Sequence, residues 1–435
     1  MPASWILSLN IALLVLAIIQ GTLVIGFLVA LARRPRPGQD SRQASVDPSV
    51  PAGAEWPAAR VVLCVRGADP SLARCAEAVA RLDYPSYRLM VVADNEADQG
   101  LAIVREALGN RVDEIAQFLI LEDADRLESC SMKCSALVLA CRDLAPEVRV
   151  VATIDADTRP DRDWLKQLVA PMLADERVGA TTGVRWYSPR GKSAGEWTRM
   201  VWNAAAIVQM WAYGIPWGGS MAIRRELLSK AGLLDRWQTT FCEDTPTASQ
   251  LKQHGYRVHT IPFLILDNDE RCKLGDVIPW VKRQLLTARL HHPAWGLVLS
   301  HAISTTGIPL LTLLLGLVML MLQRFTDATW LLSGFAIYEL LMLGLVIGIA
   351  RGVHQRLAES SEHREIAPPL PALLAALSIG IVVSQTSYPL AAFGATFASG
   401  VTWRQIRYAI LPRGRIQRLN YAPFQHEEQV PSQSL

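Results

Sequence analysis

The sequence predicts an α/β fold, with one sheet domain of the βαβ kind carried between an N-terminal transmembrane helix and a C-terminal set of transmembrane helices. Three observations predict it. Of 435 residues, 51% are hydrophobic, and the mean hydropathy is positive, which argues against a wholly soluble chain. Residues 5–32 and two stretches after Arg289 are long apolar runs almost without charge. Between them, residues 59–293 alternate short aliphatic runs with helix-period segments, the pattern of a sheet buried on both faces.

The first apolar run ends in Arg33, Arg34 and Arg36 and a Pro-rich polar stretch. It lacks the basic start, short core and small-residue cleavage site of a signal peptide, so it reads as a membrane anchor. The arginines put the following domain on the cytoplasmic side, with the N-terminus outside. Within the domain the predicted strands are 60–65, 88–93, 117–121, 148–154 and 178–182. From 290 to 323, and again from 328 to 350 with Glu339 as its one charge, the chain reads as two further spans joined by a short turn. Glu339 is either a buried partner of another helix, the favoured reading, or part of an acceptor or ion path. A third apolar stretch, about 369–403, follows a loop carrying Arg351, Arg356 and Arg364 and precedes a tail with Arg404, Arg407, Arg413, Arg415 and Arg418. A single crossing puts that tail outside and a re-entrant hairpin keeps it inside; Pro389 and Gln385 favour an irregular segment.

The predicted organisation is therefore residues 1–33 as transmembrane helix, 34–58 as linker, 59–279 as cytoplasmic domain, 280–296 as an interfacial helix, 297–403 as a transmembrane region of about three apolar segments, and 404–435 as a basic tail. The expected location is the inner, cell membrane, multi-pass. A formal charge of +3, unevenly placed, does not imply nucleic acid as a partner. Seven cysteines without CxxC pairing fit reduced thiols; Cys130, Cys134 and Cys141 can share a helix face, but no His joins them.

Carboxylates at strand ends carry the chemistry. Asp155-Ala156-Asp157 follows the run 148–154 directly, and alternation puts both side chains on one side of the extended backbone, facing one ligand. Paired carboxylates suit a hard divalent cation, Mg2+ or Mn2+, that neutralises a leaving diphosphate. Asp161 is then free to cap the following helix. Asp123-Ala124-Asp125 repeats the tripeptide but sits among Glu122, Arg126 and Glu128, a charged connection before a helix that Ser129 or Ser131 can cap. Asp94 ends the run 88–93, where open sheets bind ligands; it suits a nucleotide's base or ribose, or else a turn. Asp69, after the first strand, is a second candidate for the base pocket or an N-cap. Glu243-Asp244 opens the helical segment 245–254, and a carboxylate there can take a proton from an acceptor hydroxyl, or cap. Trp217-Gly218-Gly219-Ser220 allows either close approach to a sugar or core packing with a turn.

Taken in order, Val65-Arg66-Gly67-Ala68-Asp69-Pro70, Leu82-Asp83-Tyr84-Pro85, Val92-Ala93-Asp94, Met132-Lys133-Cys134-Ser135-Ala136-Leu137, Asp155-Ala156-Asp157, Phe241-Cys242-Glu243-Asp244 and Trp403-Arg404 through Tyr408 resemble the family 2 type of membrane glycosyltransferases, within it the ceramide glucosyltransferase-like (family 21-like) group. The resemblance covers nearly the whole chain. It implies a GT-A (Rossmann-like) nucleotide-sugar domain, a donor such as a UDP-hexose, and a membrane lipid acceptor of the ceramide, hopanoid or glycerolipid kind. It further implies that Asp94 contacts the nucleotide, Asp155 and Asp157 the diphosphate and metal, and Asp244, beside Glu243, the base of an inverting transfer. Asp69 and Lys133 are carried over as further donor-site residues. The family places Gln or Arg, two variable residues and then Arg-Trp on the interfacial helix; here Arg283-Gln284-Leu285-Leu286-Thr287 lacks that pair. Arg283 and Gln284 remain candidate diphosphate contacts, with Arg289 the candidate to supply the lost cation. That departure motivates one alternative, a catalytically silent sugar-nucleotide or lipid-binding membrane protein; a processive polysaccharide synthase is a second alternative, weakened by the same departure and by the small number of clear spans.

Overall fold

The computed structural model describes residues 3–33, 54–191, 193–268, 270–359 and 370–425. Most of the expected linker, Arg364 and the last ten residues of the tail lie outside them.

A seven-stranded mixed sheet forms the centre of the domain: β1 (Ala58–Val65), β2 (Tyr87–Ala93), β3 (Ala116–Ile120), β4 (Val148–Ile154), β5 (Val178–Tyr187), β6 (Ser220–Arg224) and β7 (Arg257–Asn268), in the order β3-β2-β1-β4-β6-β5-β7. β1 pairs in parallel with both β2 and β4, and β6 runs antiparallel between β4 and β5. All five predicted strands are present. The fifth runs five residues past its predicted end, through Gly183 and Arg185, and β6 and β7 were not among the predicted strands. β7 carries Pro262 and lies at the sheet edge, where a missing amide costs no ladder bond; its pairing with β5 shifts register between Thr182 and Val184.

Alternation along β1 sends Val61, Leu63 and Val65 into one layer and Val62 into the other. The first layer holds α2 (Leu72–Ala80), α3 (Gln99–Leu108) and α6 (Trp164–Ala174); α4 (Val112–Ile115) leads into β3. The second holds α5 (Met132–Arg142), α8 (Arg225–Lys230) and α9 (Leu233–Trp237), and α10 (Asp244–Gln253) precedes β7. Asp163 stands at the N-cap position of α6, two residues beyond Asp161, the predicted cap. Ser131 caps α5, accepting from the Cys134 amide at 3.2 Å.

Four helices are long and apolar enough to cross a membrane: α1 (Ser4–Ala32), α12 (Trp295–Met321), α13 (Phe325–Glu359) and most of α14 (Leu370–Thr396). They dock onto the domain through α7 (Ala194–Tyr213) and α11 (Leu274–His291). Val24 and Phe27 of α1, Trp186 of β5, Val201 of α7, Ile349 of α13 and Ile381 of α14 share one apolar cluster. α14 is continuous through Pro389, so the irregular segment expected there is a helix instead. Pro389 lacks an amide, yet helix packing against α7, α11 and α12 holds the turn. Gln385 donates to both carboxylate oxygens of Glu339, at 3.0 and 3.2 Å, tying α13 to α14. Beyond α14 the basic tail folds into a three-stranded antiparallel sheet, β8 (Gly400–Trp403), β9 (Ile406–Ile410) and β10 (Ile416–Arg418). Ile406, Tyr408 and Ile416 pack in the domain's second core layer. The tail therefore lies on the domain's side of the helices, not opposite it.

Candidate active site

Because β1, β2 and β4 are parallel, their carboxyl ends open on one edge, and the chain leaves β1 toward neighbours on both sides. Ligands bind in such a crevice. A cavity of about 180 Å³ lies there, lined by Asp69, Asp94, Lys133, Asp155, Asp157, Glu243, Asp244, Arg283 and Gln284. These are nine of the ten predicted site residues.

The tenth, Arg289, is not among the lining residues. It is six residues from Arg283 on the same helix, a rotation that turns it to another face. Its guanidinium donates instead to the carbonyls of Ala395 and Ala398, at 3.0 and 2.7 Å, closing the end of α14. The repeat at 123–125 also stays off the cavity: Asp123 is 99% exposed and pairs with Arg126, and Asp125 pairs with Arg142 at 3.1 Å.

Lys133, in the first turn of α5, stands 2.7 Å from Asp155 and 2.7 Å from the buried Glu243. Burial works against its charge, but the two carboxylates outweigh burial and hold the ammonium well above its usual range. Burial likewise opposes the Asp155 charge, and Lys133, then Arg185 and Arg283, bring that carboxyl below its usual range. Glu243 is pushed up, first by burial and then by Asp244 and Asp155, with Lys133 pulling the other way. Gly218 and Gly219 make this cluster possible, since a Cβ at either would overlap the Glu243 or Asp155 carboxylate.

Asp157 is different. One carboxylate oxygen accepts from Asn268 at 2.8 Å; the other is buried with no hydrogen-bond partner. Burial, then Asp155, Asp69 and Glu270, push its carboxyl up to about 7. A buried, orphaned oxygen beside a second carboxylate fits a cation. Among the described residues no three His, Cys, Asp or Glu side chains form a ready metal cage.

At the β1–β2 end of the cavity, Asp69 accepts from the Ser71 amide at 2.9 Å and pairs with Arg404 of the tail at 2.9 Å. Asp94 is buried and paired with Arg66, and its main-chain carbonyl accepts from Tyr421 at 2.8 Å. The tail thus forms one wall of the cavity, with Trp403, Arg404, Ile406 and Tyr408 among the lining residues.

A second cavity of about 240 Å³ lies beneath the first, walled by α1, α7, α12, α13 and α14 and largely apolar. Arg185, Trp217, Asp244, Gln284 and Thr287 line both. At this junction Asp244 accepts from the Gly218 amide at 3.1 Å and the Thr245 amide at 2.6 Å, which fixes its rotamer. Trp217 belongs to the first core layer, as the packing reading of the Trp-Gly-Gly-Ser stretch expects, and it also lines the cavity wall. Arg66, Arg185, Trp403 and Arg404 were not foreseen as site residues. Arg185 carried a signal, a cation within an apolar strand-forming stretch; Arg66 directly follows β1 and pairs with Asp94, and Trp403 and Arg404 meet the site through tail packing.

The sequence profile described as glycosyl transferase family 21 matches residues 11–416. A probable glycosyltransferase of Bacillus subtilis, YdaM, is 26% identical over 223 residues, 48% of this chain and 50% of that protein, so the chain spans about half the length of the curated relative it matches. Among solved structures, the mannosyltransferase PcManGT from Pyrobaculum calidifontis, in complex with GDP-Man and Mn2+, is 20% identical over 89% of this chain and 98% of that one, with a TM-score of 0.46. Glucosyl-3-phosphoglycerate synthase from Mycobacterium tuberculosis, in complex with Mn2+, UDP-glucose and phosphoglyceric acid, is 17% identical over 55% and 78%, with a TM-score of 0.35. The family profile spans the domain, the flanking helices and most of the tail sheet, and this chain belongs to glycosyl transferase family 21.

Proposed function

We propose that this glycosyltransferase is a metal-dependent, inverting enzyme that moves a hexose from a nucleoside diphosphate sugar, a UDP-hexose, to a hydroxyl of a membrane lipid such as a ceramide, hopanoid or glycerolipid. The observation that carries the reading is the position of Asp244, on the wall shared by the polar cavity and the apolar cavity among the membrane helices. A lipid whose chains lie in the lower cavity presents its hydroxyl beside that carboxylate. Asp244 takes the hydroxyl proton as the oxygen attacks the anomeric carbon, and the bond from that carbon to the diphosphate oxygen breaks. One displacement inverts the centre.

Arg185 and Arg283 line the donor cavity and meet the charge that develops on the leaving nucleoside diphosphate. Lys133 keeps Asp155 and Glu243 charged and still rather than meeting the donor itself. Asp157, with Asp155 beside it, is the residue that would hold Mg2+ or Mn2+, and a bound ion supplies further neutralisation of the diphosphate. Arg351 and Arg356 close the domain-side end of α13 and the basic tail packs on the domain, which supports a domain on the cytoplasmic side of the cell membrane.

The test is Asp244→Asn in the full chain, assayed with a UDP-hexose and membrane lipids. Transfer falls by about 10²–10⁴-fold, the range for a positioned base, while UDP binding with Mn2+ stays within about threefold, a change of under 1 kcal/mol. Wild-type transfer by the variant removes Asp244 as base. Binding without any turnover in the wild type makes the chain a silent binder.

A further inference from the structure

The β8–β9 hairpin carries a backbone oddity at the place where it meets the donor cavity. Its two connecting residues, Arg404 and Gln405, have φ of 47° and 64°, a left-handed pair that such turns usually fill with Asn and Gly. Side chains in this region are disfavoured and persist where the surroundings over-determine them, as at ligand sites. The surroundings here do so. Arg404 pairs with Asp69, its main-chain carbonyl accepts from Arg66 at 2.9 Å, and Gln405 donates to the Gln425 carbonyl at 2.8 Å.

Trp403, at the same tip, lies under Arg283, with the guanidinium carbon 5.4 Å from the ring centroid. That is within reach of a cation–π contact. Both residues line the donor cavity, and burial lowers the Arg283 guanidinium to about 10. A desolvated cation, backed by an aromatic face and turned to a polar cavity, is arranged for an anion. The interfacial helix lacks a tryptophan next to an arginine in sequence, yet the tail supplies one in space.

We propose that the tip of the C-terminal hairpin is part of the nucleoside diphosphate site: Trp403 positions Arg283 toward the diphosphate, and Arg404 ties the tip to Asp69 and so closes the nucleotide end. This rests on the donor-site reading above. Trp403 and Arg404 are positioning residues, acting through Arg283 and Asp69.

The experiment measures UDP and GDP binding by calorimetry in Mn2+, on the full chain in detergent. Trp403→Leu is expected to weaken binding about tenfold, within the range of a desolvated cation–π pair, while Trp403→Phe keeps most of it. Arg283→Lys is expected to match Trp403→Leu, with the double variant no worse than either single one, because the residues act as a unit. Trp403 also packs against Phe241, so Arg404→Gly serves as a second variant. Glycine suits the positive φ and keeps the hairpin, and its binding is still expected to fall. Wild-type affinity in Trp403→Leu and Arg404→Gly, with binding lost in Asp157→Asn, overturns the role of the tip and leaves the donor site standing. Wild-type affinity in all three overturns the donor site as well. A loss that Trp403→Phe fails to restore, accompanied by a fall in thermal midpoint, makes the hairpin a folding element and overturns the proposal.

Discussion

Lys133→Met is the sharpest probe of the cluster at the end of β4. The ammonium stands 2.7 Å from each of two carboxylates, and Glu243 is only 2% exposed while Lys133 itself is 17% exposed. Removing it leaves two acids packed against Gly218 and Gly219 with no counter-charge, and breaking a buried pair from one side costs about 3–5 kcal/mol. At about 2–4 °C per kcal/mol for a domain of this size, the thermal midpoint falls by roughly 10 °C at neutral pH. The cost depends on pH with a definite sign. Glu243 already sits above its usual range, and without Lys133 it rises further. The folded variant then binds more protons than its unfolded chain, and its stability falls as pH rises. The gap to wild type should therefore narrow toward acid, in thermal scans of detergent-solubilised protein followed by domain fluorescence. Transfer should fall as well, since Asp155 and Glu243 lose their fixed positions. A variant within about 1 kcal/mol of wild type, the worth of an exposed pair, would refute the reasoning.

Two further outcomes follow from the same geometry. Asp157, pushed up to about 7, must lose a proton before it holds a cation, so Mn2+ affinity measured with UDP should drop about tenfold per pH unit below 7 and level off above it. Asp157→Asn should flatten that profile, and a pH-independent wild-type affinity contradicts the assignment. Gly219→Ala puts a Cβ into the Asp155 carboxylate and the Trp217 ring; displacing either by about 1 Å should lower kcat/KM roughly 100-fold. Gly275→Ala, with open space around it, is the control and should leave transfer unchanged.

Most acids of the site were legible because they lie at the end of a buried strand or open a helix. Asp94 and Asp155 end runs of β-branched residues, and parallel pairing of those runs puts their ends on one edge whatever the loops do. The tripeptide at 123–125 could be set aside for the same reason, since its charged neighbours mark a solvated connection. The helix face of Arg289 was less legible: both it and Arg283 fit a basic interfacial helix, and the docking of α11 decides which of the two faces meets the cavity. The second half of β5 was missed because Gly183 and Arg185 interrupt the aliphatic pattern, and β6 and β7 were not predicted at all. That interruption brings a cation to the junction of the two cavities.

By itself, the order of apolar and charged residues determined the membrane helices, the α/β domain between them and the acidic edge of its sheet, because burial and alternation act over a few residues at a time. What only the tertiary structure decided is who answers those acids. Lys133 settles between Asp155 and Glu243, Arg66 on Asp94, and Arg404 on Asp69 from more than three hundred residues away. Such pairings depend on how α5 and the tail sheet dock against the second core layer, a packing that local periodicity does not encode.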